Sequence, residues 1–154
     1  MSSASHLVRR FLGSLWPAGP RRNGVAFVEN ALEPSELALW RRMSAPDRRH
    51  SIAVARRLPD VADDVVAAAL LHDVGKVEAG LGTFARVAAT LIGAGRARGR
   101  MAVYLRHDVI GARLLTDAGA RPLVATWAGE HHLPPERWTV APAIGAALKA
   151  ADDD

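Results

Sequence analysis

Apolar residues recur along this chain at helical rather than alternating spacing. The densest run, Val65-Val66-Ala67-Ala68-Ala69-Leu70-Leu71, stops abruptly at His72-Asp73. Upstream, Glu33-Pro34-Ser35-Glu36 opens a helix through about Met43, with Pro34 near its first turn, where a missing N–H costs nothing. Ser44 or Pro46-Asp47 starts the next, which carries His50, Ile52, Ala53 and Val54 and stops before Pro59. Asp60 to Asp73 forms a third, and Gly75 is expected as its left-handed cap. After Gly80 and Gly82, Thr83 caps a helix through about Ile92, and a basic, glycine-punctuated loop follows from Gly93 to Gly99. In Arg100–Leu115 the residues Met101, Val103, Tyr104, Leu105, Ile110 and Leu114 again recur near helical spacing. Arg121-Pro122 opens a helix ending around Glu130-His131-His132, halted by Pro134-Pro135, and Ala141-Pro142 starts the last, Ala143 to about Asp152. No internal repeat and no convincing period-two run occur, so the fold class is all-α, a compact bundle of about six to seven helices.

The front of the chain is organised differently. Leu7, Val8, Phe11, Leu12 and Leu15 share one side of a short amphipathic segment, 5–16, with arginines on the other. Such a stripe usually serves its own domain's core, and that reading is preferred here to contact with a membrane surface. Pro17 to Gly24 reads as a Pro/Gly/Arg linker. The chain therefore divides into an N-terminal segment and linker, 1–28, and one helical domain, 29–154.

Composition narrows the chemistry. The chain has 154 residues and no cysteine, which excludes disulfides and thiolate metal sites; any metal must be held by nitrogen and oxygen. No apolar stretch approaches the ~20 residues of a spanning helix, and no secretory signal is recognisable, so a cytoplasmic location is expected. The net charge is +4, almost all from arginine, since Lys76 and Lys149 are the lysines. A pI near 10.6 would permit contact with phosphates. Yet Arg9-Arg10, Arg21-Arg22, Arg41-Arg42, Arg48-Arg49 and Arg56-Arg57 are dispersed and lack interleaved aromatics, which reads as a solvated surface rather than a nucleic-acid site.

The candidate chemistry lies in the histidines. A helix that buries Ala, Val and Leu should not also push an imidazole and a carboxylate inward without a partner, because an uncompensated buried charge costs several kcal/mol. A bound cation satisfies both groups together. Of the 6 histidines, His50, His72, His107, His131 and His132 all stand on expected helices, and Asp152 sits at a comparable place near the last helix end. Taken singly, each has an ordinary explanation. His50 could be a satisfied or exposed histidine, His107-Asp108 a surface pair, and Asp152 part of a frayed Asp152-Asp153-Asp154 run. His6 is read as uninvolved.

Together they fit a known order. His50, His72-Asp73 and Asp152, with the strings Leu70-Leu71-His72-Asp73-Val74-Gly75-Lys76 and Ala147-Leu148-Lys149-Ala150-Ala151-Asp152, make the chain similar to the HD-domain metal-dependent phosphohydrolase family over about residues 30 to 154. The resemblance implies an HD-domain helical bundle in which His50, His72, Asp73 and Asp152 hold one metal, with Asp73 able to bridge to a second. His107, followed by Gly111-Ala112, and His131-His132 match the extra histidines of the binuclear branch, which includes the HD-GYP group. Adjacent helical residues point about 100° apart. His131 and His132 could therefore serve two metals, or one could be a ligand and the other its support. Where HD-GYP proteins carry Gly-Tyr-Pro, this chain has Leu133-Pro134-Pro135-Glu136-Arg137-Trp138, so cleavage of a cyclic dinucleotide is not implied. With Asp153 next in sequence, either aspartate could be the last ligand.

Mixed carboxylate and imidazole ligands suit one or two ions of Mn²⁺, Fe²⁺, Mg²⁺ or Zn²⁺. Such ions activate water and clamp phosphoryl oxygens. The expected activity is hydrolysis of a phosphoester in a nucleotide or related small molecule. Asp73 and Lys76 are the candidate catalytic residues, Lys76 neutralising charge on the phosphate or acting simply as a solvated helix-end cation. Arg48, Arg49 and Arg106 flank ligand positions and are candidates for the mouth of the site. Two alternatives stand beside this reading. One is a dinucleoside polyphosphate hydrolase like the HD-type symmetrical diadenosine tetraphosphatases. The other is a non-catalytic sensing or interaction module that keeps the metal as a staple.

Overall fold

A computed structural model describes residues 18–79 and 106–153. In chain order it contains α1 (Arg22–Ala31), α2 (Pro34–Arg42), α3 (Ala45–Arg57), α4 (Asp63–Leu71), the single turn α5 (Lys76–Ala79), α6 (His107–Asp117), α7 (Pro122–Glu130), a 3₁₀ turn (Pro135–Arg137) and α8 (Pro142–Asp153). Among the described residues there is no strand, and no helix is long and apolar enough to cross a membrane. The amphipathic segment 5–16, the expected helix from Thr83 to Ile92, the basic loop 93–99 and the start of the helix expected from Arg100 lie outside the described residues.

The apolar run is the axis of the bundle. In α4, Val65 and every residue from Ala67 to Leu71 are buried, because α1, α2, α3, α7 and α8 all pack around this helix. A helix surrounded on all sides has no need of a polar face. Its alanines let neighbouring helices approach closely, while Trp40, Leu115, Trp127 and Leu148 fill the space between them. His72 and Asp73 follow its last turn, so they are delivered to the centre of the molecule.

Helix starts follow local chemistry. Proline stands in the first turn of α2, α3 and α7, and the Ser44 Oγ accepts from the Asp47 N–H at 3.3 Å to cap α3. Glu36 reaches back to the Glu33 N–H (3.0 Å), then accepts from Arg121 Nε (3.0 Å), Arg121 Nη2 (2.6 Å) and the Arg121 backbone N–H (3.1 Å). This buried pair ties α2 to the start of α7.

Several boundaries differ from those the sequence predicts. The first helix begins at Arg22, within the expected linker, and runs across residue 28, whose valine side chain is fully buried. The central helix starts at Asp63 instead of Asp60 and ends at Leu71, leaving His72 to Gly75 in a tight turn closed by Val74 N–H to Leu71 O (3.0 Å) and Lys76 N–H to Asp73 O (3.1 Å). Arg106 has φ −114° and ψ 23°, so α6 begins only at His107; it then runs two residues past Leu115.

Gly75 is not a left-handed cap. Among the described residues the positive φ belongs to Gly119 (69°), which closes α6: its N–H bonds Thr116 O (3.0 Å) and the Ala120 N–H bonds Leu115 O (2.9 Å). Gly75 is required by crowding instead. Its backbone presses on the first turn of α6, opposite Gly111, and this contact brings His107 beside Asp73.

Candidate metal centre

Five elements deliver the candidate side chains. His50 comes from the middle of α3, His72 and Asp73 from the turn after α4, His107 from the first position of α6, His131 and His132 from the end of α7, and Asp152 from the last turn of α8. All seven converge.

On one side, His50 Nε2 lies 2.9 Å from Asp152 Oδ1, and His72 Nε2 lies 3.6 Å from the same oxygen. On the other, His107 Nε2 stands 3.0 Å from His132 Nε2. Asp73 joins the halves: Oδ2 is 3.5 Å from His72 Nε2, while Oδ1 is 3.2 Å from His107 Nε2 and 3.8 Å from His131 Nε2. Donor atoms of His50, His72 and Asp152, and separately those of His107, His131 and His132, lie within 4.8 Å of one another. Lys76 Nζ pairs with Asp73 Oδ2.

The orientation of two rings decides what they can do. His72 Nδ1–H donates to Ala69 O (2.8 Å) and His131 Nδ1–H to Ala128 O (2.9 Å). In the neutral ring each donation leaves the lone pair on the opposite nitrogen, Nε2. Both Nε2 atoms are buried and have no hydrogen-bond partner. A buried, unsatisfied acceptor costs about 1–3 kcal/mol, and here two of them face the same carboxylate-bearing space.

Electrostatics keep the donors in their ligand forms. Burial alone would push the Asp73 carboxyl up, but Lys76, His72 and His107 together hold it well below the usual carboxylate range. Asp152 behaves likewise, with the His50 hydrogen bond outweighing burial. Burial, followed by the neighbouring His72, pushes His131 down to about 2, and burial with His107 lowers His132. Two carboxylates are thus ionised, and two imidazoles neutral, at ordinary pH.

This donor set fits a divalent cation. With metal–nitrogen bonds of ~2.0–2.1 Å, neighbouring ligands of an octahedral or tetrahedral ion stand about 2.9–3.4 Å apart. The 2.9, 3.2 and 3.0 Å contacts fall in that interval, and the 3.5–3.8 Å ones lie just beyond it.

The sequence left two pairs open, His131 with His132 and Asp152 with Asp153. His131 and His132 do not diverge. The last helical bond of α7 is from the His131 N–H to Trp127 O (2.9 Å), and the two rings, 3.9 Å apart at their centroids, both lie against the His107 ring. Asp152 faces the cluster, whereas Asp153 points outward and pairs with Lys149 at 3.0 Å. Of the arginines expected near the mouth, Arg48 lies over the Trp40 ring (5.4 Å), Arg49 donates to Ala18 O, and Arg106 is exposed. Sequence reasoning did not single out Arg57, whose Nη1 donates to Ala151 O (3.1 Å) and steadies the turn of α8 that carries Asp152. No local signal marks that contact, since the two residues are 94 positions apart.

No curated protein and no solved structure matches the chain. A family model does match, that of the HD domain, over residues 48–153, which spans every one of the converging side chains. With its all-helical bundle and a histidine–aspartate cluster suited to a divalent cation, the chain belongs to the HD domain family.

Proposed function

We propose that this protein is a metal-dependent phosphohydrolase acting on a phosphoester of a nucleotide or a related small molecule in the cytoplasm. HD domains are in general metal-dependent hydrolases, and the partnerless Nε2 atoms of His72 and His131 carry the reading for this chain. Their backbone-anchored rings are built to donate lone pairs and receive nothing from the protein in return. In this reading His50, His72 and Asp152 would hold one cation and His107, His131 and His132 a second, with Asp73 able to serve both.

Cations so placed would lower the pKa of a water and neutralise phosphoryl oxygens during in-line attack. The chain's own groups supply the rest. Asp73 stays ionised and presents one oxygen to each half of the cluster. Lys76, paired with Asp73, brings a positive charge to the edge of the site, where a phosphate oxygen of the substrate would share it. His132, the exposed member, marks the side open to solvent and therefore to substrate. After it in sequence, the 3₁₀ turn Pro135–Arg137 and Trp138 stand where the HD-GYP group carries Gly-Tyr-Pro. For that reason a mononucleotide or a dinucleoside polyphosphate is a better candidate than a cyclic dinucleotide.

The test is metal analysis coupled to turnover. Purified protein should contain a transition metal or bind Mn²⁺ stoichiometrically. The loaded protein should then hydrolyse a member of a panel of nucleotides, cyclic dinucleotides and dinucleoside polyphosphates. Stoichiometric metal without turnover on any of them would favour the second reading, a metal-stapled interaction module. That reading has its own support, because the cluster links α3, α4, α6, α7 and α8.

A further inference from the structure

A second feature of α3 lies apart from the histidine cluster. Arg49, Ile52 and Arg56 share one face of this helix at three- and four-residue spacing, while His50 lies about 100° round from Arg49. That face and the start of α1 border an open pocket of about 240 Å³, lined by Arg21, Asn23, Gly24, Arg49, Ile52 and Arg56 among others. Three arginines line it and no carboxylate does.

The surroundings hold the cationic groups in place. The Arg56 guanidinium sits over the Phe27 ring (5.6 Å) and donates one N–H to Asn23 O at 3.4 Å. A guanidinium has five N–H donors, and this bond uses one of them. Arg49 donates to Ala18 O at the opposite edge. The first turn of the ten-residue α1 opens on the same space; its N-cap, Arg21, offers no side-chain acceptor, and no acidic residue lies in that turn. The first backbone bond there is from the Gly24 N–H to Arg21 O (2.9 Å), so the Arg22 and Asn23 N–H groups precede the helix ladder.

The geometry points to a binding pocket for the phosphoryl group of a small anionic ligand, separate from the metal centre. Forked guanidinium donors and a helix N-terminus both favour phosphate oxygens. Size limits the ligand further: whole-ligand pockets run ~300–1,000 Å³, so this cavity admits a phosphate or pyrophosphate group and leaves any larger portion outside. A nucleic-acid strand, by contrast, would need an extended basic track, and Arg41 on α2 is already paired with Glu29 at 2.8 Å. The pocket does not depend on the proposed hydrolase reading.

The experiment is calorimetric titration of the full chain with inorganic pyrophosphate after chelator treatment, so that no metal mediates binding at the histidines. Saturable single-site binding is expected, weakened at least about tenfold by Arg56→Gln and by Arg21→Gln, as befits loss of a charge-assisted hydrogen bond. Arg56→Lys, which keeps the charge but not the fork, should weaken it measurably. Arg113→Gln, exposed on α6, should leave it unchanged. Thermal melts check that each variant folds, and the exposed Arg21 serves if Arg56→Gln does not. Absence of saturable binding would overturn the proposal, as would equal weakening by Arg113→Gln, the mark of diffuse attraction. A single-stranded oligonucleotide that binds more tightly than pyrophosphate, and is lost with the same variants, would overturn it in favour of a nucleic-acid surface.

Discussion

Gly75 stands so close to the backbone of His107 that a β-carbon on it would lie 1.9 Å from the His107 carbonyl oxygen and 2.6 Å from the Gly111 N–H nitrogen. These atoms belong to backbone, which cannot rotate away as a flexible side chain would. The close approach sets the distance between the two halves of the histidine cluster, because Asp73 precedes Gly75 by two residues and His107 is the residue pressed upon. Gly75→Ala should therefore cost about 1–3 kcal/mol and lower metal content, as overpacking forces α6 away. Gly111→Ala should be milder, since its β-carbon would meet the Gly75 nitrogen at 3.2 Å. Thermal melts and metal analysis of the two variants check the order; an unshifted Gly75→Ala would refute it.

If the orphaned Nε2 atoms are metal ligands, removing either ring should remove metal and not merely leave a hole. His72→Ala and His131→Ala should each lose bound metal, and chelation should destabilise the unmodified protein. A ligand at about a hundred times its Kd contributes about 2.7 kcal/mol, so the melting temperature should fall on chelation and recover with added Mn²⁺. His72→Ala should lose most of that response. A melting temperature indifferent to chelator and metal would mean that the cluster holds no ion under those conditions.

The buried pair Glu36–Arg121 makes a pH-dependent contribution with a definite sign. Burial pushes the Glu36 carboxyl up, but the Arg121 hydrogen bonds and charge outweigh it and hold the folded value below the unfolded one. Its contribution is thus fully present above the unfolded carboxylate range, near pH ~4.3, and is lost as pH falls through the folded value. Arg121→Met would leave Glu36 buried without its cation, at a cost of about 3–5 kcal/mol near neutrality. The sign then reverses: the Glu36 pKa rises, and the variant recovers stability on acidification where the parent loses it. Denaturant melts from pH 4 to pH 8 would show curves that converge at the acid end, and parallel curves would contradict the assignment.

What the sequence made legible was local. Pro34, Pro122 and Pro142 announce helix starts because proline's missing N–H is tolerated only there. The order of histidines and aspartates was visible because the chemistry needs those residue types, and the bundle brings His50 to Asp152 across 102 positions. Contacts between distant segments left no such trace. Gly75 looks like a helix cap until α6 is seen against it, and Glu36 looks like an ordinary first-turn acid until Arg121, 85 residues on, grips it.

The two aspartates at the end of α8 stand in sharply different surroundings. Asp152 has a largely buried side chain that accepts from His50 and faces His72, and its carboxyl is held well below its ordinary range. Asp153, one residue later, is 60% exposed and pairs with Lys149 on the same solvent face. An exposed pair of that kind contributes about 0–1 kcal/mol. Asp153→Asn should therefore leave metal content and melting temperature nearly unchanged. Asp152→Asn keeps the shape and one oxygen but removes the charge that offsets a cation, so metal affinity should fall steeply. The His50 ring should also lose its ionised acceptor. Titration of chelator-treated variants with Mn²⁺ reads the difference, and equal affinities for the two would remove Asp152 from the ligand set.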